Sequence, residues 1–501
     1  MALLRVYQYT ISGLIKIQAG FSGLGQSLMA KTLVEKLWSR HCVADLGDGT
    51  DLLYIDRVLL HERTGSIALK GLAEQGRAVR HPDRAFVCMD HIVDTRPGRG
   101  DETLMPGGEA FIRETRAAAN AAGIRIFDIG DNRQGIVHVV SPEQGIALPG
   151  LTLVCPDSHT CTQGGLGALA WGIGSSEAAH ALATQTLVVR RPRQMRVRFE
   201  GELPPGVGAK DMILHLIAAH GAGGGSGYAI EFAGSAVAAL SVEARMTLCN
   251  MAVEFAAWTG LCAPDAKTIA WVEGRPFAPK GAAWAQALAD WADLVSDADA
   301  VFDKEIVVDC ASIVPTITWG TSPQHALPVT GTVPDPANAT DANAAEAQRR
   351  ALTYMGLEPG QTLAGLPIDG AFIGSCTNSR LSDLRAAAAI LKGRHVAPGV
   401  RAICVPGSGL VKAAAEAEGL HQIFLDAGFE WRESGCSMCF FAGGESFGKG
   451  ERVVTSTNRN FENRQGPGTR SHLASPVTVA ASAIAGRIAD ARMLTAQLVE
   501  A

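Results

Sequence analysis

Two cysteines three residues apart, Cys436 and Cys439 in Gly-Cys-Ser-Met-Cys, give the sharpest chemical signal in the chain. Thiolates at this spacing can form half a zinc site, a redox dithiol or part of an iron–sulfur site. A zinc site commonly brings a second such pair or a histidine pair, and none follows here. A thioredoxin-like dithiol belongs near the start of a helix in a much smaller domain. Cys376, in Gly-Ser-Cys-Thr-Asn-Ser, offers a third thiolate among small and polar neighbours. Three thiolates without a fourth suit a [4Fe–4S] cluster with one open iron, although spacing alone leaves the zinc and dithiol readings standing. Asp90-His91 and Asp157-Ser158-His159 add acid–base groups. Each alone reads more readily as a turn with a helix cap than as a catalytic pair.

These residues need elements to position them. Short apolar runs at 85–88, 151–155, 306–308, 371–373, 403–405 and 453–454 read as strands. Alanine-rich amphipathic stretches at 109–122, 176–187 and 384–392 read as helices, the last closed by Gly393. The alternation predicts an α/β fold with mainly parallel sheets. Asp90-His91, Asp157-Ser158-His159 and Cys376 each follow a strand, and ligands of open α/β sheets bind beyond the carboxyl ends of strands. One shared site between lobes is therefore expected. The basic connector Arg190-Arg191-Pro192-Arg193, placed after a helix, and the linker-like stretch 328–345 divide the chain. The expected lobes are 29–191, 192–337 and 338–501, after an extension at 1–28 with no core periodicity, the domain opening at Met29. The glycine-rich stretch 221–227 lacks the Gly-Lys-Ser/Thr ending of a phosphate loop and reads as a flexible turn. His138, in an apolar run, reads as a core histidine.

Composition bounds the possibilities. With 501 residues, 47% hydrophobic and 19% charged, the chain can build several cores. The 56 glycines suit tight turns and close backbone approaches. A net charge of −6 with scattered Lys and Arg speaks against a nucleic-acid surface, yet leaves room for local arginines to bind a carboxylate substrate. The 11 cysteines, an odd number without the spacing of secreted disulfide scaffolds, point to a reducing compartment such as the cytoplasm. No stretch is long and apolar enough to span a membrane.

The motifs taken together resemble the aconitase family. The likeness rests on residues 374–380 (Gly-Ser-Cys-Thr-Asn-Ser-Arg), 435–439, 157–160 (Asp-Ser-His-Thr), 246–254 (Met-Thr-Leu-Cys-Asn-Met-Ala-Val-Glu), 456–466 (Ser-Thr-Asn-Arg-Asn-Phe-Glu-Asn-Arg-Gln-Gly) and Asp90-His91. Residues 53–57 and 135–139 are similar to the two-subunit branch that interconverts isopropylmalates. Gln163, where a histidine is expected, and residues 440–444 depart from that pattern. The resemblance implies three α/β/α lobes around a shared iron–sulfur site, without the family's swivelling fourth domain. It implies Cys376, Cys436 and Cys439 as ligands of one [4Fe–4S] cluster. It implies Asp90, His91, Asp157, His159 and Glu254 as catalytic groups, and Arg459, Arg464, His61 and Ser158 as contacts to a small dicarboxylate. The reaction implied is dehydration and rehydration of an alkylmalate, first 2-isopropylmalate, with citramalate, dimethylmalate or homocitrate as alternatives and RNA binding as a more distant one. The missing fourth domain implies a small partner subunit, because the stretch after Arg464 is too short to hold another α/β lobe.

Overall fold

The computed structural model describes residues 30–441 and 443–494, so the expected extension at 1–28 lies outside the described residues. Three all-parallel sheets carry the architecture. The first runs in the spatial order Arg125–Phe127, Ala85–Cys88, Arg57–His61, Thr152–Cys155, Leu169–Gly172. The second runs Thr259–Leu261, Tyr228–Ala233, Arg193–Glu200, Lys304–Asp309. The third runs Phe429–Trp431, Arg401–Cys404, Gly370–Ile373, Arg452–Thr455, Arg470–Leu473. An antiparallel three-stranded sheet (Cys42–Gly47, Thr50–Tyr54, Thr186–Arg190) and a two-stranded one (Thr316–Thr318, Ala326–Pro328) complete an α/β fold. The strands Ala85–Cys88, Thr152–Cys155, Gly370–Ile373 and Arg452–Thr455 are buried on both faces, which explains their short, unbroken apolar runs.

Chain order sets where a site can form. In the first sheet the chain steps outward one way from Arg57–His61 and the other way from Thr152–Cys155, leaving a crevice between those neighbours. The third sheet repeats this between Gly370–Ile373 and Arg452–Thr455. The core under the third sheet includes Cys376, Cys436 and Cys439. The core under the first sheet also takes in Val242, Met246, Leu261, Val272, Ala287 and Trp291. No helix of the described residues is long and apolar enough to cross a membrane.

Four expectations change in detail. The helix expected over 176–187 is Ser175–Thr184, because Gln185 adopts a left-handed conformation (φ 59°) and the chain turns into the strand Thr186–Arg190. The basic connector therefore follows a strand. The stretch 328–345 is no loose linker: Val329 and Val333 are 1% exposed in the core of the third sheet, and Asp341 caps the helix Ala342–Met355. Residues 221–227 are no flexible turn either. A Cβ on Gly224 would lie 2.2 Å from the Phe255 ring, and the Gly225 amide donates to the Phe255 carbonyl at 2.8 Å.

Candidate active site

The crevice of the first sheet gathers His61 at the end of its strand, Asp90-His91 beyond Ala85–Cys88, and Asp157 beyond Thr152–Cys155. His91 Nδ1 lies 2.5 Å from Asp90 Oδ1 and Nε2 lies 3.1 Å from Asp157 Oδ2, so one ring is held by two carboxylates. The His61 ring stacks on it at 4.0 Å, with Nε2 3.1 Å from the Pro156 carbonyl. Burial works against charge on both rings. In His91 the carboxylates of Asp90 and Asp157, with Cys436 close by, overcome it and raise the pKa well above the ordinary value. In His61 burial, reinforced by the charge of His91, lowers the pKa to about 4. The stack thus holds one imidazolium and one neutral ring at neutral pH.

Asp157 organises more than His91. Its Oδ1 accepts from the His159 amide at 2.7 Å, capping the turn Ser158–Leu166, and His138 Nε2 lies 3.2 Å away, off the line of a good hydrogen bond. Burial opposes its charge, but His138, His159 and His91 hold the carboxyl well below its usual range. Ser158, next in sequence, is exposed. His159 Nε2 lies 3.0 Å from Glu254 Oε1, and Arg459 Nε donates to the same oxygen at 2.6 Å. Glu254 sits in the turn Met251–Phe255, next to the glycine-packed Phe255. Burial opposes its ionisation, while His159 and Arg459 keep it ionised. An open cavity of about 380 Å³ lies beside this pair, lined by Glu254, Thr321, Ser322, Pro323, Arg459 and Phe461 among others.

The three expected thiols are buried, free of disulfides, and linked to these groups. The Cys436 amide donates to the Asp90 carbonyl at 2.8 Å. Cys376 Sγ accepts from Asn250 Nδ2 at 3.1 Å and from Asn458 Nδ2 at 3.3 Å, and Arg464 Nη2 lies 3.6 Å from Cys439 Sγ. Such donors suit sulfur that carries negative charge. Burial, with Cys439 and Asp157 acting in the same direction, pushes the Cys376 thiol up to about 12, so its thiolate needs a bound cation. Among the described residues, the one group of metal-ligating side chains whose donor atoms all lie within 4.8 Å of one another is His61, Glu62, Asp90 and His91. The His61 group is no metal cage, because the Glu62 carboxylate is taken up by the amides of Asp90 (2.9 Å), Ile92 and Val93 (3.4 Å).

Arg464 packs its guanidinium over Phe440 (4.7 Å) and Phe461 (5.2 Å), and Arg63 lies over the same Phe440 ring at 5.0 Å. Sequence reasoning missed three contributors. Glu62 anchors the Asp90–His91 loop. Asn458, inside a recognised motif, serves the Cys376 sulfur together with Asn250. His138 is buried as expected, but its ring faces Asp157.

Parallel sheets, with paired imidazoles and carboxylates near three buried thiols, have the make-up of an α/β enzyme. The profile of the aconitase family (aconitate hydratase) matches residues 35–486, and the chain belongs to that family. Within it, the chain is 54% identical over 464 residues to the 3-isopropylmalate dehydratase large subunit 1 of Bradyrhizobium diazoefficiens, covering 93% of this chain and 97% of that one. Among solved structures, the holo-form of aconitase X from Thermococcus kodakaraensis aligns over 82% of this chain and 84% of its own, at 13% identity and a TM-score of 0.43.

Proposed function

We propose that this chain is the large subunit of a dehydratase that interconverts 2-isopropylmalate and 3-isopropylmalate through 2-isopropylmaleate, in leucine biosynthesis. The observation that carries the reading is the convergence of one imidazolium, His91, and one carboxylate–guanidinium pair, Glu254–Arg459, on a wall of three buried thiols. The name of the Bradyrhizobium relative supports the substrate.

Elimination of water needs a proton delivered to a departing hydroxyl, because hydroxide is a poor leaving group. A [4Fe–4S] cluster held by Cys376, Cys436 and Cys439 would supply Lewis acidity toward substrate oxygens. His91, held charged by Asp90 and Asp157, is the proton donor toward the leaving hydroxyl. His159 and Glu254 form a second hydrogen-bonded pair on the same side. Arg459 and Arg464 offer planar forks to the substrate carboxylates, and His61 and Ser158 contact the same substrate. No group in this array is placed as a base for the carbon-bound proton. A small subunit closing over the exposed Phe441 and Phe461 supplies that base and excludes water. The relative's name, a large subunit, supports this division.

The test is a hydration and dehydration assay after anaerobic loading with iron and sulfide, in the presence of a candidate small subunit. Isopropylmalate should turn over with a kcat/KM well above those of citramalate, dimethylmalate and homocitrate. Preference for one of the latter would redirect the substrate assignment, and activity on none would remove the reaction.

A further inference from the structure

Lys210 is a buried amine that the proposed reaction does not use. It is the second residue of the helix Ala209–His220, far in sequence from the cysteines, and is 1% exposed. Its Nζ donates to the carbonyl oxygen of Ser456 at 3.1 Å and to that of Thr457 more closely still. Burial lowers its pKa to about 7, opposed through space by Asp383, Cys376, Cys439 and Glu254. Two adjacent buried carbonyls aimed at one point repel each other unless a donor sits between them.

The two carbonyls belong to the turn beyond the strand Arg452–Thr455, which delivers Asn458 to the Cys376 sulfur and Arg459 to Glu254. The other side of that turn is already fixed, since Ser456 Oγ donates to the carbonyls of Gly374 and Asn378, both at 3.1 Å. The next residue of the helix grips the same segment from its far end. Asp211 accepts from the Thr316 amide at 2.8 Å, and Thr318 of that strand accepts from Asn460 Nδ2 at 3.0 Å. One helical turn thus holds residues 456–460 at both ends.

We propose that Lys210 is a positioning residue of the active site, clamping the turn at 456–458 so that Asn458 meets the Cys376 sulfur and Arg459 meets Glu254. The role rests on the reading of Cys376 as a cluster ligand and Arg459 as a substrate contact. It adds a hydrogen-bond donor behind that wall, supplied by a helix that carries neither group.

The test compares wild type with Lys210→Met, which keeps length and removes the amine, in the iron-loaded two-subunit enzyme. Iron content, the electron paramagnetic resonance signal of the reduced cluster, KM and kcat are measured together. Lys210→Met should keep its iron, raise KM about 10- to 100-fold with a smaller fall in kcat, and shift the resonance signal. Lys210→Arg should restore part of KM. Wild-type KM and an unchanged signal in Lys210→Met would overturn the proposal. If Lys210→Met is insoluble, Lys210→Gln takes its place in the same comparison. Insolubility of both would also overturn it, by making Lys210 a folding residue. A wild type that takes up no iron would instead sink the reading of the thiols, an outcome distinct from these.

Discussion

His61 and His91 stack at 4.0 Å, yet their surroundings drive them to opposite protonation states. The difference is the pair of carboxylates on His91, and it separates a proton donor from a neutral neighbour within one stack. Glu254 is the complementary case, a buried carboxylate kept ionised by His159 and Arg459. Glu254→Gln should therefore keep the visible absorbance of the cluster and lower kcat by about 100-fold or more, checked by steady-state kinetics on iron-loaded enzyme. A variant within a few-fold of wild type would remove Glu254 from the chemistry. Arg464 tests substrate binding separately. Its planar guanidinium lies over two aromatic rings and beside Cys439, a fit that a lysine ammonium cannot reproduce. Arg464→Lys should raise KM about tenfold or more, with kcat less affected. An unchanged KM would show that the substrate carboxylates bind elsewhere.

The first described helix, Leu33–His41, shows how an element end is tied to the sheet that forms the crevice. Thr32 and Glu35 close its start with a reciprocal capping box, and His41 closes its end, with Nδ1 2.7 Å from the Leu37 carbonyl and Nε2 2.8 Å from Asp56 Oδ2. Asp56 also accepts from the Thr152 amide at 2.9 Å, at the start of a crevice strand. Burial opposes both charges, but each partner overcomes it in the other, raising the His41 pKa and lowering that of Asp56. The His41 contribution is complete below its unfolded value near 6.5 and is lost as pH rises through its raised folded value. The Asp56 contribution is complete above about 3.8 and is lost as pH falls through its lowered one. The pair therefore stabilises most between about pH 4 and 6.5. Asp56→Asn should lower the melting temperature at pH 6, with a cost of about 3–5 kcal/mol, and flatten the decline of melting temperature above pH 6.5. A parallel decline in both proteins would contradict this. Elements like these were partly legible in the sequence. Strands buried on both faces announce themselves as four apolar residues followed by polar ones, as at Ala85–Cys88 before Asp90. The end of the helix Ser175–Thr184 was not legible, because its alanine-rich pattern runs on into Leu187 while Gln185 has already left the helix. Glu62 was hidden for another reason: as a first-turn acid it looks like an ordinary helix-start residue, and its real partners are amides about 30 residues away that only the fold brings near.

At the scale of the whole molecule, no single layer owns the site. The first sheet brings His61, Asp90, His91 and Asp157. The third brings the cysteines, Asn458 and the arginines, and the segment 242–255 between strands of the second brings Asn250 and Glu254. Amide donors from the last two meet on one sulfur, that of Cys376, so sulfur and acid–base groups can be in register only when the layers are packed. That dependence explains why the motifs are spread from residue 90 to residue 466 and carry meaning only as a set. It also makes Cys376 the point at which the account is most exposed. The most direct measurement is the iron and sulfide content, with the visible absorbance, of the anaerobically reconstituted wild-type chain beside Cys376→Ser. Wild type should bind about four irons and four sulfides per chain and show the broad absorbance of a [4Fe–4S] cluster, and Cys376→Ser should lose most of both, because a neutral hydroxyl is a poor ligand for iron. A Cys376→Ser chain with its full complement of iron and sulfide, or a wild type that binds only a single metal ion, would contradict the account.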